Sequence, residues 1–225
     1  MITSSRRVFL AGAVAVTAGT AGCLGGGGDD GGSDPPELGE IADSATPSDG
    51  QPLPSPVAGD PDADVTVAVF EDYACPHCAT YSLEVFPQLA AEYLETEQVR
   101  YEFHDFPIPV DERLSWQAAS AARAVQADAG SQAFFVYSER LFANQDSIGP
   151  AVYGDHTEGI DADGETVRRA GTERRYDQTV EADKEAGRER GVQGTPTVFV
   201  DGERVQWQEI AYEPVRDAIE SARGR

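Results

Sequence analysis

Hydrophobic positions in the second half of the chain fall into short periodic runs. Residues 64–73, "DVTVAVFEDY", are apolar on both faces, with Val65, Val67 and Val69 on one and Ala68 and Phe70 on the other. That pattern predicts a strand buried on both sides. Residues 78–96 then place Tyr81, Val85, Leu89 and Tyr93 four apart, which predicts a helix, with Pro87 inside it as a kink or break. Residues 98–108 alternate and predict a second strand. Residues 111–190 predict a helical block. One stretch aligns Leu114, Ala118 and Ala122, a second is rich in phenylalanine, and a third (165–191) is polar and expected on the outside. Strand pattern returns in "TPTVFVDGERVQW", where Asp201-Gly202 between apolar runs marks a hairpin. A closing helix over 213–223 uses Val215 and Ile219. The order is strand, helix, strand, helical block, hairpin, helix, an α/β domain over residues 61–225.

The first sixty residues follow other rules. Arg6 and Arg7 stand before an apolar stretch, residues 8–22, that is shorter than the roughly 20 residues a spanning helix needs. A charged start, a short apolar middle and a small-residue end make a signal peptide over residues 1–22. "SRRVFL" resembles a twin-arginine export signal. "TAGC" resembles a lipobox, which makes Cys23 the candidate lipidation site, with an unmodified thiol as the alternative. Residues 24–60 hold eight acidic residues and no basic one among many Gly, Pro and Ser. Residues 23–60 therefore read as a self-repelling tether with a coil reach of about 30–40 Å. The expected location is the extracytoplasmic face of the cell membrane, where thiols oxidise readily.

Charge narrows the partners. The chain carries 40 acidic and 17 basic residues, a formal net of -23, with Lys184 as its single lysine. Such a surface repels nucleic acid and anionic headgroups. It fits very high salt, where screening removes self-repulsion.

The candidate chemistry lies in "FEDYACPHCATY". Cys75 and Cys78 are three apart at a predicted helix start, so both sulfurs face one side of the first turn. Unsatisfied N–H groups and the positive helix end there favour a thiolate at Cys75, while Cys78, one turn in, is placed to attack back. The alternatives are a structural disulfide, which closes so short a loop that it gains little entropy, and a zinc site. The chain has no second CxxC, and His104 and His156 are not at ligand spacing, so no metal is expected. His77 between the cysteines reads as a tuner of Cys75. Glu71 and Asp72 are either surface carboxylates or a proton relay to Cys78. Residues 159–164, "GIDADG", lack the carboxylates of a calcium loop at positions one and twelve, so Asp163 reads as a helix cap.

"DYACPHC" resembles the DsbA-like branch of the thioredoxin superfamily. So do "GVQGTPTVFVDG" and "FFVYSERLFANQ", in the same order and at compatible spacing. The resemblance runs from about residue 57 to 223. It implies a thioredoxin-like fold with an inserted helical block (about 111–190). It implies catalysis by Cys75 and Cys78, redox tuning by Pro76 and His77, and substrate binding by Thr195 and a cis Pro196 that face the cysteines. The implied activity is disulfide formation in exported cysteine-containing proteins, without a separate cofactor, with reoxidation by a membrane partner. Alternatives are a reductase or isomerase of the same fold, or a non-catalytic binding lipoprotein. "VQWQEIAYEP" (205–214) departs from the family pattern and is expected to lie away from the active site.

Overall fold

The computed structural model describes residues 51–225. Cys23, the proposed signal peptide and the tether up to residue 50 lie outside the described residues. The elements are β1 (Val57–Gly59), β2 (Val65–Glu71), a helix α1 over 76–94, β3 (Val99–Asp105), α2 (Glu112–Ala143), α3 (Pro150–Tyr153), α4 (Gly164–Glu173), α5 (Asp177–Glu189), β4 (Thr197–Val200), β5 (Glu203–Arg204) and α6 (Tyr212–Arg223). Short 3₁₀ turns occupy Gln145–Ser147 and Asp155–Thr157. This is a mixed α/β, thioredoxin-like fold with a helical insertion between β3 and β4.

The five strands lie in the order β1-β3-β2-β4-β5. β2 is central: it pairs parallel with β3 (Val67 opposite Tyr101) and antiparallel with β4 (Val67 opposite Val200). Its two faces enter different clusters, as a period of two requires. Val65, Val67 and Val69 join the main core, whereas Phe70 packs with Phe106, Val192 and Phe199. The β4–β5 hairpin turns on Asp201 (φ 48°) and Gly202 (φ 81°), both left-handed, as the Asp-Gly pair predicts.

Pro87 does not break α1. The helix alternates α turns (Pro76–Thr80, Phe86–Leu89) with π turns (Tyr81–Val85, Ala90–Leu94). The Phe86 N–H reaches back five residues to the Tyr81 carbonyl, so the ladder widens just where Pro87 has no N–H to give. The same widening serves the apolar stripe. On an ideal helix a spacing of four drifts by about 40° per step, and the π turns underwind the helix. Tyr81, Val85, Leu89 and Tyr93 all stay buried.

The predicted helical block is present. α2 bends sharply at Gly130, whose φ of 82° and ψ of -178° are non-helical, so its alanine-rich and phenylalanine-rich halves point differently. Asp163 caps α4 through the Thr166 N–H. α4 and α5 each keep one face outward and bury the other, with Val167 and Val180 turned inward.

One boundary moves. The stretch read as tether up to residue 60 is already packed in its last part. Leu53 is buried, its N–H donates to Thr179 Oγ1 (3.0 Å), and Val57–Gly59 forms an edge strand on β3. A buried charge within the alanine-rich half of α2 also holds this segment. Arg123 is fully buried and bonds Asp105 Oδ2 (2.6 Å) and Asp183 Oδ2 (2.5 Å). It also donates to the Pro54 carbonyl, as does Gln126. A paired, hydrogen-bonded arginine is the form in which such a charge is tolerated inside a protein. Among the described residues no helix is long and apolar enough to cross a membrane.

Candidate active site

The site forms where β2 hands over to α1. Asp72 builds the turn between them: its Oδ1 accepts the Ala74 N–H (2.9 Å) and its carbonyl accepts the Cys75 N–H (3.0 Å). Its Oδ2 accepts the Ile108 N–H (2.8 Å) and the Ser115 hydroxyl (2.9 Å), which ties in the loop after β3 and the start of α2. The Asp72 N–H donates to Cys78 Sγ (3.4 Å). Cys75 is the N-cap of α1 with an extended backbone (φ -87°, ψ 118°), and Pro76 follows at the first helical position, where a missing N–H costs nothing.

Both cysteines are free thiols. Cys75 retains 4% exposure and Cys78 none, so an incoming sulfur meets Cys75. The Cys75 thiol donates to the Thr195 carbonyl at 3.5 Å, across 120 residues of chain, and the Thr195–Pro196 bond is cis. Thus Cys75, Pro76, His77, Cys78, Thr195 and Pro196 come together as the family resemblance implies.

The two sulfurs differ in acidity. Cys75 falls from the ordinary thiol value to about 5, first because the Cys78 thiol donates to it, then through the Thr195 side chain and the N–H groups of Cys78 and His77, with burial opposing. Cys78 is pushed well up, chiefly by burial, with Cys75 and the Glu71 charge adding to it. The named contribution of His77 runs through its backbone N–H, and its side chain is exposed.

Glu71 and Asp72 are not surface carboxylates: each is 2% exposed. Burial raises the Glu71 pKa well above the ordinary value, against one hydrogen bond from the Ser82 hydroxyl (2.9 Å). Burial also raises Asp72, with its three donors opposing. Glu71 borders a small cavity walled by Phe86, Tyr101, Phe103, Phe135 and Phe142. His104 is structural: it stacks on Phe70 and pairs with Asp183 in the Arg123 cluster.

A second expectation fails at residues 207–210. This segment lies beside the active site, where Trp207, Gln208, Glu209 and Ile210 line a cleft with His77, Thr80, Thr195 and Pro196. The Trp207 ring packs against Tyr81 (6.0 Å), so α1 holds it in place. A tryptophan between short polar runs was the available signal, because large aromatics are held wherever apolar area can be covered.

A family model described as "Thioredoxin" matches residues 53–221. Disulfide bond formation protein D of Bacillus subtilis is 28% identical over 191 residues, 82% of each chain. Na(+)/H(+) antiporter NhaA 3 of Salinispora tropica is 31% identical over 148 residues, which are 66% of this chain and 22% of the antiporter. Among solved structures, oxidised BdbD from Bacillus subtilis superposes with a TM-score of 0.70 at 25% identity, covering 83% of this chain and all of that one (100%). DsbA from Chlamydia trachomatis superposes with a TM-score of 0.64 at 20% identity, covering 76% and 92%, a likeness of fold alone.

Proposed function

We propose that this chain, which belongs to the thioredoxin family and is a DsbA-like protein thiol–disulfide oxidoreductase, works outside the cytoplasm in the oxidising direction, forming disulfides in exported cysteine-containing proteins. The observation that carries the direction is the acidity of Cys75, about 5, beside a Cys78 pushed well up. A stabilised thiolate favours the reduced form, and a pair that prefers to be reduced is an oxidant.

The cycle starts from the Cys75–Cys78 disulfide. A substrate thiolate attacks Cys75 Sγ and forms a mixed disulfide, and Cys78 leaves as a thiolate that its burial drives to take up a proton. Glu71 is the better placed of the two carboxyls to supply that proton. Burial raises its pKa well above the ordinary value, it is electrostatically coupled to Cys78, and Asp72 is occupied by three donors. A second substrate thiolate then attacks the substrate sulfur of the mixed disulfide. Cys75 leaves as a thiolate, and its low pKa makes it a good leaving group. The substrate loses two electrons and gains one S–S bond, and the enzyme pair is left reduced. A membrane electron acceptor restores the disulfide.

The cleft supports a polypeptide substrate. Thr195 and Pro196 form one wall against Cys75, and Trp207 and Ile210 offer apolar surface. The exposed His77 imidazole stands at the same cleft. The arginine pair and "TAGC" support export and a lipid at Cys23, and the acid-rich composition supports a high-salt environment.

Mixed-disulfide trapping tests this reading. With Cys78→Ala, exported proteins should accumulate as mixed disulfides on Cys75, and with Cys75→Ser none should form. Equilibration with glutathione should place the parent nearer about -120 mV, typical of a strong oxidant, than about -270 mV, typical of a reductant. The second value would assign the chain to reduction.

A further inference from the structure

Gln145 reaches the redox centre from outside it. It opens the 3₁₀ turn Gln145–Ser147 beyond the end of α2, seventy residues after Cys75. Its side-chain amide donates one hydrogen to the Tyr73 carbonyl (2.8 Å) and the other to the Cys75 carbonyl (2.9 Å). The same stretch of α2 grips Tyr73 twice more: Phe142 stacks on its ring (4.8 Å) and Ser138 Oγ bonds its hydroxyl (3.0 Å).

The two carbonyls matter because of what they flank. The peptide between Cys75 and Pro76 has no N–H, so its polar atom is the Cys75 oxygen. Turning that peptide toward the sulfur brings only negative partial charge to the place where a thiolate must form. Held by Gln145, that oxygen stays tied to donors and off Sγ, whose acidity depends on donors such as the His77 N–H. The Cys75 carbonyl also accepts the N–H groups of Cys78 (3.0 Å) and Ala79 (3.2 Å), so the first turn of α1 and Gln145 fix one oxygen together. For Tyr73, Gln145 is the donor among the described hydrogen bonds.

We propose that Gln145 is a positioning residue for thiol–disulfide exchange: it holds the Tyr73 and Cys75 carbonyls away from Cys75 Sγ, so the helical insertion helps set the oxidising strength of the pair. The inference rests on the reading of Cys75 as the nucleophile. It makes the insertion a working part of the centre, since a shift at the end of α2 turns these carbonyls.

The test uses the full chain, reduced, as parent, Gln145→Met and Gln145→Glu. Methionine keeps the length and removes both donors. Glutamate keeps the shape and replaces the donors by an acceptor. Three quantities are read at high salt: the Cys75 pKa by thiolate absorbance, the equilibrium with glutathione, and the thermal midpoint. Gln145→Met should raise the Cys75 pKa by about one unit, because carbonyl oxygens freed to turn toward Sγ disfavour the thiolate. It should also move the glutathione equilibrium about tenfold, about 30 mV, toward a more reducing pair. Gln145→Glu should do both to a greater extent. A merely structural glutamine lowers the midpoint and leaves pKa and equilibrium at parent values; that result in either folded variant overturns the proposal. Loss of fold in both overturns it as well, since Gln145 is then a structural residue. A Cys75→Ser control separates the two readings. If the low-pH thiolate wave survives in Cys75→Ser, the assignment of Cys75 as nucleophile fails, whatever Gln145 does.

Discussion

Cys75 and Cys78 are identical side chains one helical turn apart, and their surroundings have opposite electrical character. Cys75 sits at the mouth of α1, met by N–H groups, by the Cys78 thiol and by Thr195, and its pKa falls to about 5. Cys78 is fully enclosed, has one main-chain donor at 3.4 Å, and faces Glu71. The difference lies in direction rather than composition. Donors converge on one sulfur, and desolvation dominates the other. In the proposed cycle one thiol thereby serves as nucleophile and leaving group while its neighbour is kept protonated, which is what alternating attack requires.

The largest break in this contrast is removal of the acidic sulfur. Cys75→Ser should lower the rate of disulfide formation in a reduced test protein by about a thousandfold or more, because a hydroxyl at neutral pH is no substitute for a thiolate. Retention of even a tenth of the parent rate would place the nucleophile elsewhere. Next is the turn beneath both sulfurs. Asp72→Ala removes the acceptor for Ala74, Ile108 and Ser115 and should destabilise the fold by about 2–4 kcal/mol. Urea unfolding measures this, and a loss under about 0.5 kcal/mol would show that the loop does not need its carboxylate.

Cys78→Ala sharpens the contrast. The Cys78 thiol is the leading cause of Cys75 acidity, so its removal should raise the Cys75 pKa from about 5 by about one to two units. A value still near 5 would assign the whole effect to backbone and Thr195 donors. The smallest effect concerns Glu71. Its folded pKa is raised, so its contribution to stability is complete below the ordinary carboxyl value of 4.5 and is lost as pH rises through the folded value. Glu71→Gln removes that loss. The variant should gain on the parent by about 1–2 kcal/mol toward alkaline pH and match it in acid. A parent already as stable as the variant at alkaline pH would mean that the Glu71 charge is solvated.

Much of this was legible in the sequence because it is local. The cysteine pair at a strand–helix junction, the Asp-Gly hairpin, the Asp163 cap and the two-faced apolar strand each follow from a few consecutive residues. Three features were not legible, because their meaning lies in distant partners. Arg123 sits among alanines in its helix, and its two acceptors stand 18 and 60 residues away. Glu71 ends β2 and, as a carboxylate, looks like an exposed strand end, yet the cavity-lining aromatics of β3 and α2 cover it. Trp207 departs from the family pattern and so carried no expectation at the cleft, although the hairpin returns it beside Pro196.

The central claim is that at neutral pH the reduced centre holds one thiolate and one thiol, and the pH dependence of the reduction potential tests it most directly. Reducing the disulfide then takes two electrons and one proton above the Cys75 pKa of about 5, and two protons below it. Measured against glutathione at high salt from about pH 4 to pH 8, the potential should fall by about 59 mV per unit on the acid side and by about 30 mV per unit on the neutral side, with the change of slope near the Cys75 value. A single slope of about 59 mV per unit across the whole range would mean that both thiols stay protonated, and would contradict the account.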